Sequence, residues 1–278
     1  MHSHRGRTIR AEIRTTAAPR QVWEAWADPV KIAQWFVDRA QGEPTPGSTY
    51  TWFFDKFNLA LPYRVLEAAP GERFVLAWDP PPGRDPGIME VIIGREGGST
   101  VMSFVNSGFL EGAEWDEEYQ GVVSGWQLSF SLLQHYLENY FGRPRSSFLV
   151  MQPAQFAYDE LLPYYLEAGG LARWLTISGS IGRPGDHVRL ALQDGSTVTG
   201  KVLALTAREV LVSCEEIGGA LAFKAFSMGP GGRMAGIHGC GWDLDPAQAA
   251  AMEARMAQAL GRLVAALPTA NTAASQSP

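Results

Sequence analysis

The first half of the chain alternates hydrophobic and polar positions in short segments, a pattern typical of half-buried β-strands. Strands are predicted near residues 9–14, 49–54, 60–68, 72–79, 87–94 and 99–108. Two short helices are predicted after the first strand, one beginning at Pro19 and one at Pro29, with Asp28 as N-cap. From Trp115 the apolar residues recur every three or four positions, which predicts a helix of about 25 residues that stops at Gly142.

The second half of the chain repeats this order of patterns. Strands are predicted near residues 147–151, 186–192, 197–205, 208–214, 219–228 and 233–239. A helix is predicted from Pro153 to about Leu166, and a short helical turn around Trp174, after the break at Gly169-Gly170. A last amphipathic helix is predicted to begin at Pro246, after Asp245 as N-cap.

Four segments of the first half return in the second half, in the same order and at nearly constant spacing. The pairs are residues 65–78 with 202–214, 19–23 with 153–157, 35–36 with 174–175, and 103–109 with 236–242. A repeat of this length corresponds to a whole domain. We therefore predict two domains, residues 8–142 and 147–268, followed by a disordered tail, residues 269–278.

The order of elements predicts an α+β fold in each domain. One strand, two short helices, an antiparallel meander and a long helix are best accommodated when a curved sheet wraps around the C-terminal helix. A ligand would lie in the space between that sheet and that helix.

Several motifs of the first half carry a family resemblance. They are Ala18–Trp26, Asp28-Pro29 with Trp35, Val65–Trp78, Gly97–Thr100, Gly108-Phe109 and Gly125-Trp126. As a set they resemble the Aha1-type domain of the SRPBCC (START/Bet v 1-like, helix-grip) superfamily over residues 8–141. The resemblance implies two helix-grip domains in tandem and, commonly, a hydrophobic cavity. Members of the superfamily bind lipids, cyclise polyketides or stimulate a chaperone ATPase, so the resemblance alone does not select one activity.

The second copy departs from the family pattern. Its last helix has Ala259-Leu260-Gly261 where the first copy has Gly-Trp, and Gly-Gly replaces Asp-Pro before its second short helix. It is assigned to the fold mainly through the internal repeat.

Aromatic residues are concentrated in the first copy, which holds 21 of the 30 Phe, Trp and Tyr residues. Strand alternation and helix periodicity bring a subset of them to one face. The candidate ligand-binding residues are Trp35, Trp52, Phe54, Trp78, Met102, Phe104, Trp126 and Phe130. They predict either an aromatic-lined pocket or a solid aromatic core.

Charge and composition narrow the function classes. Residues 1–142 carry 12 basic and 18 acidic side chains, whereas residues 143–278 carry 11 of each, so nucleic acid is not an expected partner. No apolar run approaches the roughly 20 residues of a membrane span, and the first residues lack an apolar signal core. We expect a cytoplasmic protein without membrane insertion, in which Cys214 and Cys240 are small buried hydrophobes.

No catalytic, metal or cofactor site is predicted. The chain has no Gly-x-Ser-x-Gly motif, and His238 with Cys240 is only a pair, short of the three or four ligands that zinc requires. The acidic residues between Glu111 and Glu118 stand where the long helix begins, and the helix dipole favours them there. An enzyme could use Glu67, Glu90 or Tyr63 as acid or base, although the sequence does not place these residues inside the domain.

The resulting hypothesis is that the first domain binds a hydrophobic or aromatic small molecule, while the second domain is structural. A co-chaperone-type module that binds a protein partner is one alternative, and a cyclase- or hydrolase-like enzyme is the other. Ligand identity and oligomeric state stay open at this point.

Overall fold

Two seven-stranded antiparallel sheets organise the chain, one in each half. The computed structural model describes residues 6–78, 86–227 and 232–268, and the chain divides into two units after Arg145. Each unit follows the order strand, two short helices, six further strands and a long helix. The predicted α+β class with two helix-grip domains is confirmed.

The described residues of the first domain form seven strands and three α-helices. They are β1 (Arg7–Thr15), α1 (Pro19–Ala27), α2 (Pro29–Ala33), β2 (Arg39–Gln41), β3 (Thr49–Phe54), β4 (Leu59–Ala69), β5 (Arg73–Trp78), β6 (Gly87–Glu96), β7 (Ser99–Phe109) and α3 (Asp116–Asn139). The strand order in the sheet is β1-β7-β6-β5-β4-β3-β2, so only β1 pairs out of sequence. Helix α3 has 24 residues, a length of roughly 36 Å that is enough to cross the sheet.

The second domain has the same number and order of elements. They are β8 (Arg145–Pro153), α4 (Tyr158–Leu166), α5 (Ala168–Leu171), β9 (Thr176–Ser178), β10 (His187–Leu192), β11 (Thr197–Leu205), β12 (Val210–Cys214), β13 (Gly219–Ser227), β14 (Arg233–Trp242) and α6 (Pro246–Ala266). The strand order is β8-β14-β13-β12-β11-β10-β9, which is the order of the first domain.

The predicted helix starts follow from local capping chemistry. The Asp28 carboxylate accepts a hydrogen bond from the Val30 N–H at 2.7 Å, and Pro29 occupies the first position of α2. Asp245 caps α6 in the same way through the Ala247 N–H, with Pro246 at the first position. These two helix starts are confirmed.

The predicted helix start at Pro153 is wrong. Pro153 is the last residue of β8, and the next N–H, of Ala154, still bonds to the Arg233 carbonyl beside that strand. The helix begins only at Tyr158, where the Glu160 side chain accepts from the Ala157 N–H. Pairing with β14 therefore extends the strand past the position where a helix was expected.

Two smaller features also differ from the predictions, and one prediction is not tested. Gly169 and Gly170 lie inside α5 and do not break the chain before it, and α5 ends ahead of Trp174. The three-residue edge strands β2 and β9 were not predicted, because so few residues give no readable alternation. The predicted tail 269–278 lies outside the described residues.

Backbone features shared by the two domains confirm the repeat at two of its four segment pairs, which are called anchors below. A bulge interrupts β4 between Val65 and Glu67, and the same bulge interrupts β11 between Val202 and Ala204. The Val65 N–H bonds to the Ser48 carbonyl, as the Val202 N–H bonds to the Asp186 carbonyl, both at 2.9 Å.

The tryptophan anchor is equally well matched. The Trp35 Nε1–H donates to the Ala25 carbonyl at 2.7 Å, and the Trp174 Nε1–H donates to the Tyr164 carbonyl at 2.8 Å. Both bonds reach back ten residues, from the segment after the second short helix to the first short helix.

Candidate functional site

The candidate site is the inner face of the first sheet, which faces α3. Because successive side chains of a strand point to opposite faces, β3 presents Tyr50, Trp52 and Phe54 together. The register places Leu76 opposite Met89, and Met89 opposite Asn106. The other face carries a separate small cluster of Val75, Ala77 and Ile88.

Trp26 of α1 stands at the centre of the inner-face aromatic cluster. Its ring centroid lies 5.1 Å from that of Trp35, 5.6 Å from Phe104 and 6.0 Å from Trp126. Its Nε1–H donates to the Met102 sulfur at 3.2 Å. A single tryptophan of α1 thus contacts residues of β7, of α3 and of the segment that follows α2.

Six of the eight candidate residues belong to this cluster and are buried: Trp35, Trp52, Met102, Phe104, Trp126 and Phe130. Neighbouring rings are in contact, with centroids 4.6 Å apart for Phe104 and Trp126 and 5.4 Å apart for Trp126 and Phe130. The structure therefore brings these six together. Ring contacts of this kind fill the deep part of the space between sheet and helix.

The other two candidates, Phe54 and Trp78, are half-buried at the last positions of β3 and β5. Phe54 meets Phe36 edge to face at 5.7 Å, and Phe36, which is also half-buried, stacks on Trp126 at 5.1 Å. These three half-buried residues, Phe36, Phe54 and Trp78, are together called the opening below.

Two glycines beside Trp78, Gly87 and Gly108, leave this part of the sheet without side chains of their own. The Trp78 indole lies across Gly87, where a Cβ would overlap its ring. Gly108 on the neighbouring strand has φ +95°, and a Cβ there would meet the Gly87 backbone at 2.6 Å. A side chain at either position is therefore disfavoured, and Trp78 is the residue that covers this part of the sheet.

Two buried polar atoms of the inner face lack a hydrogen-bond partner within the part of the chain that the structure describes: Trp52 Nε1 and Asn106 Oδ1. Trp52 is 1% exposed and Asn106 is 6% exposed. Each lies two residues before a half-buried residue of its strand, Phe54 and Gly108 respectively. A buried polar group without a partner costs roughly 1–3 kcal/mol, so this pair requires an explanation.

Two tyrosines add hydroxyl groups to the inner face. Burial raises the pKa of Tyr50 and of Tyr63 well above the ordinary range, so both phenols stay protonated at physiological pH. The Tyr50 hydroxyl donates to the Trp26 carbonyl at 3.3 Å. The Tyr63 ring lies 4.6 Å from that of Trp52, which places a phenol next to the indole without a partner.

The two carboxylates proposed for acid–base work face away from this interior. Glu90 pairs in register with Val75, on the face opposite to Met89 and Val91. It forms an ion pair with Arg73, and Glu67 also lies 3.4 Å from that guanidinium. Of the three groups considered for catalysis, only Tyr63 lies on the inner face.

Sequence reasoning missed Trp26, Phe36 and Asn106. The spacing of Trp26 from Trp23 and Val22 on α1 could have indicated the buried face of that helix. Asn106 had a weaker signal, a polar residue at an inner-face position two residues after Phe104, in a strand that otherwise alternates.

The second domain fills the equivalent positions differently. The fourth residue of β10 is Leu190, where β3 has Trp52, and β12 ends at Cys214, where β5 ends at Trp78. The residue opposite the third position of β13 is Gly239, where the first domain has Asn106. The Phe148 ring lies against Gly239, so an aliphatic and aromatic core replaces the polar atoms.

The fold and this interior define a tandem helix-grip protein with an aromatic inner face in its first domain. Residues 16–138 match the family model for Activator of Hsp90 ATPase homolog 1-like protein. The family match confirms the resemblance to the Aha1-type domain over residues 16–138, and the second domain repeats the order of strands and helices of the first.

Solved structures with low sequence identity are similar to the chain. One is the di-domain ARO/CYC BexL from the BE-7585A biosynthetic pathway, with 12% sequence identity and a TM-score of 0.42. The match covers 95% of this chain and 99% of the BexL chain. DynU16, from the dynemicin biosynthetic locus, is 19% identical over 93% of this chain and 98% of its own, with a TM-score of 0.41. MLL2253 from Mesorhizobium loti is 21% identical over 47% of this chain and 96% of its own, with a TM-score of 0.42.

No curated protein matches the sequence. Within residues 6–78, 86–227 and 232–268, none of the helices combines the length and apolar character of a membrane span.

Proposed function

We propose that the first domain binds a hydrophobic or aromatic small molecule on its inner face, and that the second domain is structural. The observation that carries the proposal is the pair of buried polar atoms without partners, Trp52 Nε1 and Asn106 Oδ1. In a site otherwise made of rings and aliphatic side chains, a ligand that meets these atoms offsets their desolvation.

The two atoms also specify the ligand. Trp52 Nε1–H is a donor and Asn106 Oδ1 is an acceptor, so the matching molecule carries both an acceptor and a donor on an apolar body. A hydroxylated aromatic compound meets both requirements. The opening at Phe54 and Trp78 is the route by which such a molecule reaches the inner face, through displacement of these half-buried rings.

The experiment compares Asn106→Leu with Met89→Leu, because Met89 faces Asn106 across the strand pair. A library of hydroxylated aromatic and aliphatic compounds is first tested for an increase in melting temperature. Asn106→Leu is expected to stabilise the unliganded domain by about 1 kcal/mol and to weaken the best compound at least about tenfold. Met89→Leu is expected to change affinity less than about threefold, since it keeps volume and apolar character.

Two results would refute the proposal. The first is that no compound of the library raises the melting temperature. The second is that a compound binds equally well to the wild type and to Asn106→Leu.

A further inference from the structure

A cleft lies in the second domain, between α6 and the edge of the sheet at β9 and β10. Its volume is about 250 Å³. Four buried apolar residues form its floor: Leu175, Leu192, Met256 and Ala259. This cleft is separate from the inner-face site of the first domain.

Two arginines of α6 line the cleft, Arg255 and Arg262. They are seven residues apart, which is two helical turns, so they lie on one side of the helix about 10 Å apart along its axis. The Arg255 Nε lies 3.1 Å from the Asp194 Oδ2, and the Arg255 Nη1 donates to the Ser196 hydroxyl at 3.2 Å. The hydrogen bond from Ser196, with the charge of Arg255, holds the pKa of Asp194 below its ordinary range, so this acid stays charged and neutralises Arg255.

Arg262 is held in place but is not neutralised. Its Nε–H donates to the Trp174 carbonyl at 2.9 Å, which fixes the guanidinium at the rim of the cleft. No acidic partner for Arg262 exists within the described residues, so its NH1 and NH2 groups keep four free N–H donors. A fork oriented in this way suits a carboxylate.

A buried hydroxyl without a partner lies beside the floor. Thr176 is 1% exposed and pairs in register with Leu192, so the two side chains share one face of the sheet. Its Oγ1 has no hydrogen-bond partner in the described part of the chain. The floor is thus apolar with one polar atom next to it, and the free cation stands at the rim.

We infer that this cleft binds a small organic carboxylate, with its apolar tail on the floor and its carboxylate on Arg262. Arg255, with its charge already matched by Asp194, forms the far wall of the cleft. The structural role proposed for the second domain then applies to its filled interior, and this cleft at α6 is a separate ligand site of that domain.

The test is an NMR titration of the full chain with hexanoate, ethanoate and inorganic phosphate at constant ionic strength. Hexanoate is expected to bind at least about tenfold more tightly than ethanoate, because its methylene groups cover the apolar floor. The Met256 methyl signal is expected to shift on saturation, whereas that of Met252, one turn earlier and outside the lining, stays in place.

Matched variants locate the binding. Arg262→Gln is expected to weaken hexanoate at least about tenfold, and Arg262→Lys to weaken it less, because lysine keeps the charge but loses the fork. Arg189→Gln removes the same charge from an exposed position of β10 outside the lining and is expected to change affinity less than about twofold. Asn106→Leu is expected to leave hexanoate binding unchanged, which separates this cleft from the first-domain site.

Three outcomes would overturn the inference. They are an unsaturable titration with hexanoate, equal affinities for hexanoate, ethanoate and phosphate, or equal losses in Arg262→Gln and Arg189→Gln. The two-dimensional amide spectrum of each variant establishes that it is folded.

Discussion

The two domains share a backbone and differ in what fills it. Both have seven strands in the same order, the bulge after Val65 or Val202, and a tryptophan that bonds to the carbonyl ten residues earlier. Inside, the first domain places Trp52 and Asn106 where the second places Leu190 and Gly239. Backbone anchors therefore suffice to define a helix-grip domain, and the interior is free to diverge.

The two interiors differ in polar atoms at the positions of Trp52 and Asn106. The core of the second domain is completed by Phe148, which lies in the space left by Gly239. The inner face of the first domain instead keeps two buried polar atoms, Trp52 Nε1 and Asn106 Oδ1, that the described residues do not satisfy. Selection for stability alone would replace such side chains by apolar ones, because a buried polar atom without a hydrogen-bond partner lowers the free energy of unfolding.

The largest expected effect concerns the shared anchor. Trp35→Ala and Trp174→Ala should each destabilise the domain that contains the substitution by about 3–5 kcal/mol, since both remove a fully buried ring and leave a carbonyl without its donor. Hydrogen exchange followed by mass spectrometry reads each domain separately. Ile177→Ala, at a residue that is 68% exposed, is the control and should change stability by less than about 0.5 kcal/mol.

Unequal losses of stability in the two variants would contradict the equivalence of the two domains. If Trp35→Ala unfolds the first domain while Trp174→Ala leaves the second intact, the two bonds are not equivalent anchors.

The next effect tests how tightly the second interior is filled. Gly239→Ala should destabilise the second domain by about 3 kcal/mol, because the new Cβ overlaps the Phe148 ring and lies 3.0 Å from Leu221 Cδ2. Gly169→Ala is the matched control, since nothing lies within 4 Å of a Cβ there and alanine favours a helix. Urea unfolding measures both, and a neutral Gly239→Ala would show that the second core has room for a ligand after all.

The smallest effect is a difference in pH dependence. Burial raises the pKa of Cys214 to about 12, so the folded second domain keeps a proton that the unfolded chain loses above its pKa of about 8.5. Stability from this thiol is therefore full below pH 8.5 and falls as the pH rises, by about 2 kcal/mol between pH 8 and pH 10. Tyr50 and Tyr63 of the first domain act in the same direction, but only above their unfolded pKa of about 10.

Cys214→Ala should flatten the pH dependence of the second domain between pH 8 and pH 10. Urea unfolding at each pH, read by hydrogen exchange, gives the slope for each domain. A slope unchanged by the substitution would show that another group controls the alkaline loss.

Much of the fold could be predicted because local signals and long-range pairing agree. Strands β3 and β11 were predicted with their observed bounds, since alternation and flanking turns mark both ends. The failure at Pro153 has the opposite cause. Proline is favoured both at a helix start and at a strand end, and only the pairing with β14, about 80 residues away, decides between them.

The site was predicted less completely than the fold. Periodicity identified rings on the inner face, and six of the eight candidates lie in one cluster. Periodicity did not identify Asn106 as a polar residue among these rings. Whether its amide oxygen finds a hydrogen-bond partner depends on side chains from other strands. The cleft at Arg262 was also missed, since the Trp174 carbonyl that holds the guanidinium lies 88 residues earlier in the chain.

The proposed binding in the first domain gives Trp52 Nε1–H a hydrogen-bond partner on the ligand. The indole N–H signals in a two-dimensional NMR spectrum, assigned through Trp→Phe variants, measure this directly. On saturation with the best compound of the library, the Trp52 signal should move downfield, while that of Trp174, already bonded to the Tyr164 carbonyl, should stay in place. A compound that binds without moving the Trp52 signal, or that moves both signals equally, would contradict the account.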